Sequence, residues 1–358
     1  MISCPAGGFG VAYGYYCQPN SLALHLMASC VIPLTSRQYI GLGHKVNTII
    51  EIQRKIVIRI NEMFTQAIEI ASKFTRAIHS ISRNYRSQIV VPSAVTLFFI
   101  NSDGWAFTCG HVATRLRAEK MINQKAEHFR EELNSLKGKK KERTILRELE
   151  KKYGYSKTTT FELVSTFMNC VEGDDSVQVK IIKHNKYDVA LIKFKDYTKL
   201  LCASFPVFPS DTSGLQPGKL LSRLGYPFPE FANFAYDESS DKIVWTEAGR
   251  QTTPLFPIEG MVTRRLADDE ENIYGFEMST PGLRGQSGGP AFDADGKVWG
   301  MQFQTKHLDL NFDIDQEVLR KGIKKRVKDS PFLHAGDCIH IDILKSFMRD
   351  NGVQFTEA

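Results

Sequence analysis

The chain has 358 residues, of which 42% are hydrophobic and 24% charged, and its formal net charge is +6. This composition excludes a disordered or fibrous chain and suffices for a domain of about 200 to 250 residues with added segments. The seven cysteines form no C-x-x-C pair, so neither a metal nor a cofactor is expected. Their odd number and scattered positions predict free thiols in a reducing, cytoplasmic compartment.

Residues 1–36 carry no Lys, Arg, Asp or Glu. A secretory signal peptide needs positive charge before its apolar stretch, and the apolar run over residues 22–34 is too short to span a bilayer. We therefore expect a buried or interfacial segment. Membrane contact by residues 1–36 is the less favoured alternative.

In residues 45–85, apolar side chains recur at spacings of three and four, from Ile49 to Ile81, as on one face of an amphipathic helix. We predict an N-terminal extension, residues 1–86, that contains one long helix. That helix either packs on the body of the protein or offers a surface to a second copy of the chain or to a regulatory protein. Within it, residues 55–60 alternate and would also fit a strand.

A candidate catalytic histidine follows. Residues 89–100 are rich in β-branched and aromatic side chains, and the sequence Ser-Asp-Gly at residues 102–104 is a hairpin turn signal. His111 is therefore expected at the end of the second strand of a hairpin. Taken alone, a histidine in such a place is usually a surface or capping residue.

Residues 114–156 predict a helical hairpin that is broken at Gly138. Within residues 114–153, Lys and Arg outnumber Glu, which is typical of a solvated helical face. An acidic or regulatory protein, anionic lipid or nucleic acid is the alternative partner, but no nucleic-acid motif or aromatic interleaving supports the last. The apolar positions of the two helices are Ile122, Ala126, Phe129, Leu133 and Leu136, and then Ile145, Leu149 and Tyr153.

Asp188 opens a strongly apolar strand that runs to residue 194. A carboxylate at the start of such a strand is expected to be partly buried, and it then needs a hydrogen-bond donor. A histidine N–H is a suitable donor. Without such a partner, an aspartate before a strand is usually a turn residue.

The sequence GQSGGP at residues 285–290 is typical of a nucleophile loop. Glycines on both sides of Ser287 leave its hydroxyl accessible and tolerate unusual backbone angles. The N–H groups of Gly285 and Ser287 would then bind a developing oxyanion. The alternative is a glycine-rich turn with an incidental serine.

The three segments together resemble the trypsin-like (chymotrypsin-fold) serine peptidases and are most similar to the disulfide-free, HtrA-like branch. That branch carries the patterns DG-Y/W-x-x-T-x-x-H-V, D-L/V-A-L/V-L/I and G-x-S-G-G-P, whose counterparts here begin at Asp103, Asp188 and Gly285. The resemblance covers about residues 88–305, with a last strand and helix near 337–350. No later stretch is long enough for a PDZ domain, so none is expected.

The resemblance implies a mainly β fold, a double six-stranded β-barrel over residues 87–358, with the helical insertion 114–156 and a loop insertion 306–336. It also implies a serine endopeptidase that acts on proteins or peptides through an acyl-enzyme. Ser287 would be the nucleophile, His111 the general base and Asp188 the residue that orients the histidine. The alternative is a catalytically silent adaptor of the same fold that binds a protein partner.

The resemblance also places a substrate pocket close to the nucleophile. No aspartate stands at its floor, so a trypsin-like preference is unsupported and a neutral or apolar pocket is expected. Arg284 and His307 would instead attract an acidic side chain, which is the alternative. The residues expected to line the pocket are Pro281, Gly282, Gln302, Phe303 and Gln304.

Overall fold

Residues 64–136, 138, 141–173, 177–320 and 322–358 are described in a computed structural model of the protein. The chain divides into two units, Met1–Asn61 and Glu62–Ala358, and the described residues belong to the second. The charge-free segment 1–36, the ambiguous residues 55–60 and most of the predicted long helix therefore lie outside the described residues.

Strands dominate the described part of the chain. The strands are β1 (Thr75–Asn84), β2 (Val91–Phe99), β3 (Trp105–Thr108), β4 (Thr160–Thr166), β5 (Val171–Glu172), β6 (Gln178–Lys183), β7 (Ala190–Lys195), β8 (Lys199–Leu200), β9 (Val207–Phe208), β10 (Leu220–Gly225), β11 (Phe234–Asp237), β12 (Lys242–Trp245), β13 (Phe256–Ala267), β14 (Ile273–Met278), β15 (Pro290–Phe292), β16 (Val298–Asp309), β17 (Ile314–Arg320), β18 (Ile323–Asp329), β19 (Phe332–His340) and β20 (Thr356–Glu357). The helices are α1 (Thr65–Ser72), α2 (Gly110–Leu136), α3 (Glu142–Tyr153) and α4 (Ile341–Asp350).

Two six-stranded sheets form the body of the protein. The first has the order β4-β1-β2-β3-β7-β6 and stays open, and the second is a closed barrel with the order β10-β13-β14-β19-β16-β15. The mainly β, chymotrypsin-like architecture is confirmed, with a half-barrel in place of the first closed barrel. One apolar cluster joins the two sheets, because Phe98 and Phe107 of the first share it with Phe292 and Ile339 of the second. The loops at this junction are therefore held in a fixed relation.

The prediction of a helix over residues 45–85 is wrong for residues 75–84, which form β1. Only Thr65–Ser72 is helical in the described part of this stretch. Side chains alternate along a strand, so Ile78 and Ile81 point to opposite faces, and each is fully buried in a different apolar cluster. Because both faces of β1 are covered, its apolar residues do not follow a period of two. β1 pairs with β2 and β4, so a domain boundary after residue 86 is also wrong.

The predicted helical hairpin is confirmed as α2 and α3. Its apolar side chains, including Phe129 and Leu149, pack against Tyr85 and Phe161 at one end of the first sheet. The hairpin therefore lies against the sheet. None of the helices in the described residues is both long and apolar enough to cross a membrane.

The predicted loop insertion 306–336 is wrong, because most of it is paired strand. β16 and β19 continue side by side to the pair Asp309 and Phe332, and β17 and β18 then form a second hairpin. The charged side chains of this segment are acidic over residues 309–317 and basic over residues 321–328, and the strand pairing brings the two groups together. Arg326 forms a salt bridge with Asp315 across the hairpin, with nitrogen and oxygen 2.7 Å apart. Opposite charges on facing strands stabilise the pairing.

A buried histidine in β1 predicts a pH-dependent stability. His79 is fully buried, with Asn169 Nδ2 3.3 Å from its Nδ1 and Thr253 Oγ1 2.9 Å from its Nε2. Burial lowers its pKa to about 4 from 6.5. As the pH falls, His79 takes up a proton in the unfolded chain before it does so in the folded protein. The stability that neutral His79 contributes is therefore fully present above pH 6.5 and is lost as the pH falls toward 4. The loss amounts to about 3 kcal/mol.

We expect His79→Gln to reduce this pH dependence. Urea unfolding at pH 7 and pH 4.5 measures the free energy of unfolding, and the wild-type protein should lose more stability between the two values than the variant. His128→Gln, at an exposed position of α2, is the matched control and should keep the wild-type dependence. Equal losses in the wild-type protein and His79→Gln would contradict the prediction.

Candidate active site

Strand pairing brings His111 and Asp188 together. β3 and β7 are antiparallel with Thr108 opposite Ala190, so the residues that follow β3 lie beside those that precede β7. His111 is in the first turn of α2, which begins directly after β3, and not at a strand end. The two side chains therefore meet at the same edge of the first sheet.

Asp188 contacts His111 at two points. Its Oδ2 lies 2.7 Å from the ring Nδ1, and its Oδ1 accepts a hydrogen bond of 2.7 Å from the backbone N–H of His111. The carboxylate thus caps the N-terminus of α2 and fixes the ring at once. A Cβ at Gly110 would lie 2.9 Å from Asp188 Oδ1, so this approach requires a glycine. With Nδ1 engaged, Nε2 is the nitrogen left for chemistry.

The environment of Asp188 keeps the carboxylate ionised. Burial on its own would raise the pKa, but the hydrogen bonds and charge of His111, together with the charge of Lys183, outweigh it and lower the pKa below its ordinary value. Asp188 therefore carries its negative charge throughout the neutral range, where it stabilises a proton on the imidazole.

The loop that carries Ser287 is held by Thr96 of β2. The Thr96 hydroxyl donates to the carbonyl of Gly285 over 2.7 Å, and the Thr96 N–H donates to the carbonyl of Ser287 over 3.3 Å. Gly285 has a φ of +101°, and a Cβ there would lie 2.5 Å from the carbonyl oxygen of Tyr226. Neither the Gly285 N–H nor the Ser287 N–H has a hydrogen-bond acceptor within the described residues.

His111, Gly285 and Ser287 line one cleft of about 460 Å³ between the first sheet and the loops of the barrel. The structure thus pairs His111 with Asp188 and places Ser287 in the cleft that His111 lines. In the part of the chain that is described, no hydrogen bond joins His111 and Ser287. Such bonds often form only when substrate is bound.

A second cavity, of about 350 Å³, is also lined by Ser287. Of the five residues predicted for the pocket, Gly282, Gln302, Phe303 and Gln304 line it and Pro281 does not. No carboxylate is among the lining residues that the structure describes. Sequence reasoning did not assign Leu283 to the pocket. The lining residues besides the four named above are Leu283, Arg284, Ser287, Thr305 and His307.

Arg223 of β10 explains why Pro281 is not in this cavity. Its guanidinium is fully buried behind the pocket and donates to the carbonyls of Thr280 and Pro281 over 2.8 and 3.0 Å. It also donates to the side-chain oxygen of Gln302, whose amide nitrogen donates to the carbonyl of Gln304. Both polar atoms of the Gln302 side chain therefore already have a hydrogen-bond partner within the protein.

One group of side chains among the described residues has the spacing of a metal site. Donor atoms of Cys109, His111 and Asp188 all lie within 4.8 Å of one another. Burial, with the charge of Asp188 nearby, raises the pKa of the Cys109 thiol well above its usual value. A metal ligand must be a thiolate, so this donor set favours the hydrogen-bonded His111–Asp188 pair over a metal.

Comparisons with known proteins agree with the fold. A family model described as the trypsin-like peptidase domain matches residues 95–301. Among solved structures, an HtrA-type protease, AlgW, with a decapeptide is 10% identical, and the match covers 81% of this chain and 68% of that one. Its TM-score is 0.40. No curated protein matches this chain in sequence.

Proposed function

Because the chain belongs to the trypsin-like peptidases, we propose that it is a serine endopeptidase that cleaves proteins or peptides through His111, Asp188 and Ser287. The observation that carries the proposal is that His111, held by two hydrogen bonds to Asp188, lines the same cleft as Ser287. Serine is a weak nucleophile and needs an adjacent base, and a base needs a group that orients it.

The first half of the reaction forms an ester. His111 Nε2 takes the proton of Ser287 Oγ as this oxygen attacks the scissile carbonyl carbon. The negative charge passes to the carbonyl oxygen, where the N–H groups of Gly285 and Ser287 receive it. The C–N bond then breaks, the proton on His111 passes to the leaving amine, and the acyl group remains on Ser287.

The second half returns the enzyme to its starting state. His111 takes a proton from water as the water oxygen attacks the ester carbonyl, and the same two N–H groups bind the oxyanion again. The bond to Ser287 breaks and its oxygen regains the proton. Throughout, the ionised Asp188 stabilises the imidazolium when His111 is protonated and fixes the tautomer of the imidazole when it is neutral.

Thr96 acts in this scheme as a positioning residue. Thr96→Val keeps the shape of the side chain but leaves the Gly285 carbonyl and the Tyr226 N–H without the hydroxyl that pairs with both. We expect a loss of about 1–3 kcal/mol in the free energy of unfolding. We also expect kcat to fall by about 10²-fold with little change in KM, because the oxyanion N–H groups are displaced.

Steady-state kinetics and urea unfolding test this expectation, with Thr96→Ser as the control. The serine variant keeps the hydroxyl and should restore kcat. A change in KM alone, or no rescue by serine, would contradict the positioning role of Thr96.

A cleavage profile on a peptide library tests the proposed function, with Ser287→Ala as the control. We expect cleavage by the wild-type protein that the variant lacks. Cleavage that appears only after a partner protein is added, or after the oligomeric state changes, would favour regulation through the helical additions. No cleavage under either condition would favour a silent adaptor.

A further inference from the structure

Two arginines line the cleft beside His111 and Ser287. Arg115 is one helical turn after His111 on α2, so both project from the same face of the helix. Arg284 immediately precedes Gly285 in the nucleophile loop, and it lines this cleft as well as the smaller pocket. The two guanidinium groups therefore flank the catalytic centre from two different elements.

Neither guanidinium has a carboxylate partner. The Arg115 Nη2 donates to the Ser93 hydroxyl over 3.0 Å, and Arg284 forms no hydrogen bond or ion pair within the described residues. The nearest acidic group along α2 is Glu119, whose carboxylate accepts from the Ser165 N–H over 3.1 Å. Arg115 and Glu119 do not form an ion pair in the described structure. No acidic side chain is among the described residues that line the cleft, and Glu119 acts on Arg115 only through its charge, without an ion pair.

The two arginines also affect each other. Burial, followed by the charge of Arg284, lowers the pKa of Arg115, and the charge of Glu119 opposes this only in part. Like charges that share a half-enclosed cleft are unfavourable unless an anion binds between them. Arginine presents planar, paired donors that match a carboxylate, so a carboxylate is the anion that this arrangement suits best among peptide groups.

The position of the arginines relative to the scissile bond follows from the proposed mechanism. His111 gives its proton to the leaving amine, so the peptide segment that follows the scissile bond lies against His111. That segment therefore occupies the larger cleft, which contains Arg115. The smaller pocket, which shares Ser287 with the cleft but does not contain His111, receives the side chain that precedes the bond.

We propose that Arg115 and Arg284 form a carboxylate subsite for the substrate segment that follows the scissile bond. The inference rests on the proposed function and names its substrate class: peptides with Asp or Glu in the first two positions after the bond, or with a free C-terminus there. Both sources supply the same chemical group.

Internally quenched peptides test the subsite. One set carries Asp, Asn or Lys at the first or second position after the bond, and a second pair ends there with a free or an amidated C-terminus. We expect kcat/KM for the Asp peptide to exceed the value for the Asn peptide by about tenfold. The Lys peptide should have the lowest kcat/KM of the three. Faster cleavage of the peptide with the free C-terminus than of the amidated one would show that the C-terminus supplies the carboxylate. Faster cleavage of the Asp peptide than of the Asn peptide would show that a side chain supplies it.

Variants separate the subsite from general effects of charge. Arg115→Gln and Arg284→Gln should each remove most of the preference for Asp, and Arg284→Glu should favour Lys. Arg147→Gln, at an exposed position on α3, makes the same charge change away from the cleft and should keep the preference. Because Arg284 is exposed, its variants are expected to fold even if those of Arg115 do not.

Several results would overturn the inference. One is equal cleavage of Asp and Asn peptides together with equal cleavage of free and amidated ends. Another is an acidic preference confined to the position before the bond. Both leave the proposed function intact, because cleavage still occurs. Absence of cleavage and of labelling by a fluorophosphonate would instead overturn the proposed function, and the subsite with it.

Discussion

Replacing Ser287 or His111 with alanine is expected to lower kcat by about 10⁶-fold. In the proposed mechanism, Ser287 supplies the atom that bonds to the substrate, and Nε2 of His111 takes its proton. Ser287 is not tied to the fold through its side chain, since its loop is held through the carbonyls of Gly285 and Ser287. The loss should therefore appear in kcat and not in the free energy of unfolding.

The double variant is the control for this prediction. If the two residues act as one unit, the double variant should be no slower than either single variant, because each single change already removes the nucleophilic pathway. Steady-state assays with a peptide ester measure all three. Multiplicative losses, or a Ser287→Ala variant within about tenfold of the wild-type rate, would contradict the assignment.

Asp188→Asn is expected to lower kcat by about 10⁴-fold while leaving the fold largely intact. The asparagine oxygen can still accept from the His111 N–H, so α2 keeps its cap. Its amide group cannot both keep this bond and accept from Nδ1, so the ring takes the wrong tautomer. Steady-state kinetics at pH 8, with circular dichroism as the fold control, measures the effect.

The same variant gives a stability test with a defined sign. Because the pKa of Asp188 is lowered in the folded protein, its ionised form adds stability above the ordinary pKa of a free aspartate, near 3.9. That stability is lost as the pH falls through the folded value. The wild-type protein should therefore exceed Asp188→Asn in stability by more at pH 7 than at pH 3. A larger advantage at pH 3 would contradict the lowered pKa.

The segments with local signals were readable from the sequence. The turn at residues 102–104 forms the tip of the hairpin of β2 and β3, and Gly285 adopts a φ that suits glycine. A turn and a positive φ depend on the residues that adopt them, so their sequence is informative. The strand after Asp188 could also be predicted from its own residues, because an apolar run of that length needs burial.

The elements that depend on distant contacts were not readable. β1 was taken for part of a helix because its burial on both faces, by two apolar clusters, removes the alternation that marks a strand. The start of α2 at Gly110 was missed because its cap is Asp188, which lies 77 residues further along the chain. A helix that starts at Gly110 would have placed Arg115 one turn from His111, which is the signal that could have found this arginine.

The pocket shows the same limit. The resemblance alone placed Pro281 in the pocket, and in the structure its carbonyl instead accepts a hydrogen bond from Arg223. Nothing local to residues 220–225 indicates that an arginine in an apolar strand will be buried behind a pocket. The position of the pocket wall is therefore set by a contact across 58 residues of chain, which no local pattern encodes.

The most direct test of the central claim is the site of covalent labelling by a fluorophosphonate, mapped by mass spectrometry on the wild-type protein and on His111→Ala. We predict one adduct, on Ser287, that forms quickly in the wild-type protein and is nearly absent from the variant. An adduct on another residue, or equal labelling of Ser287 when the imidazole is missing, would contradict the claim that these side chains work as one nucleophilic system.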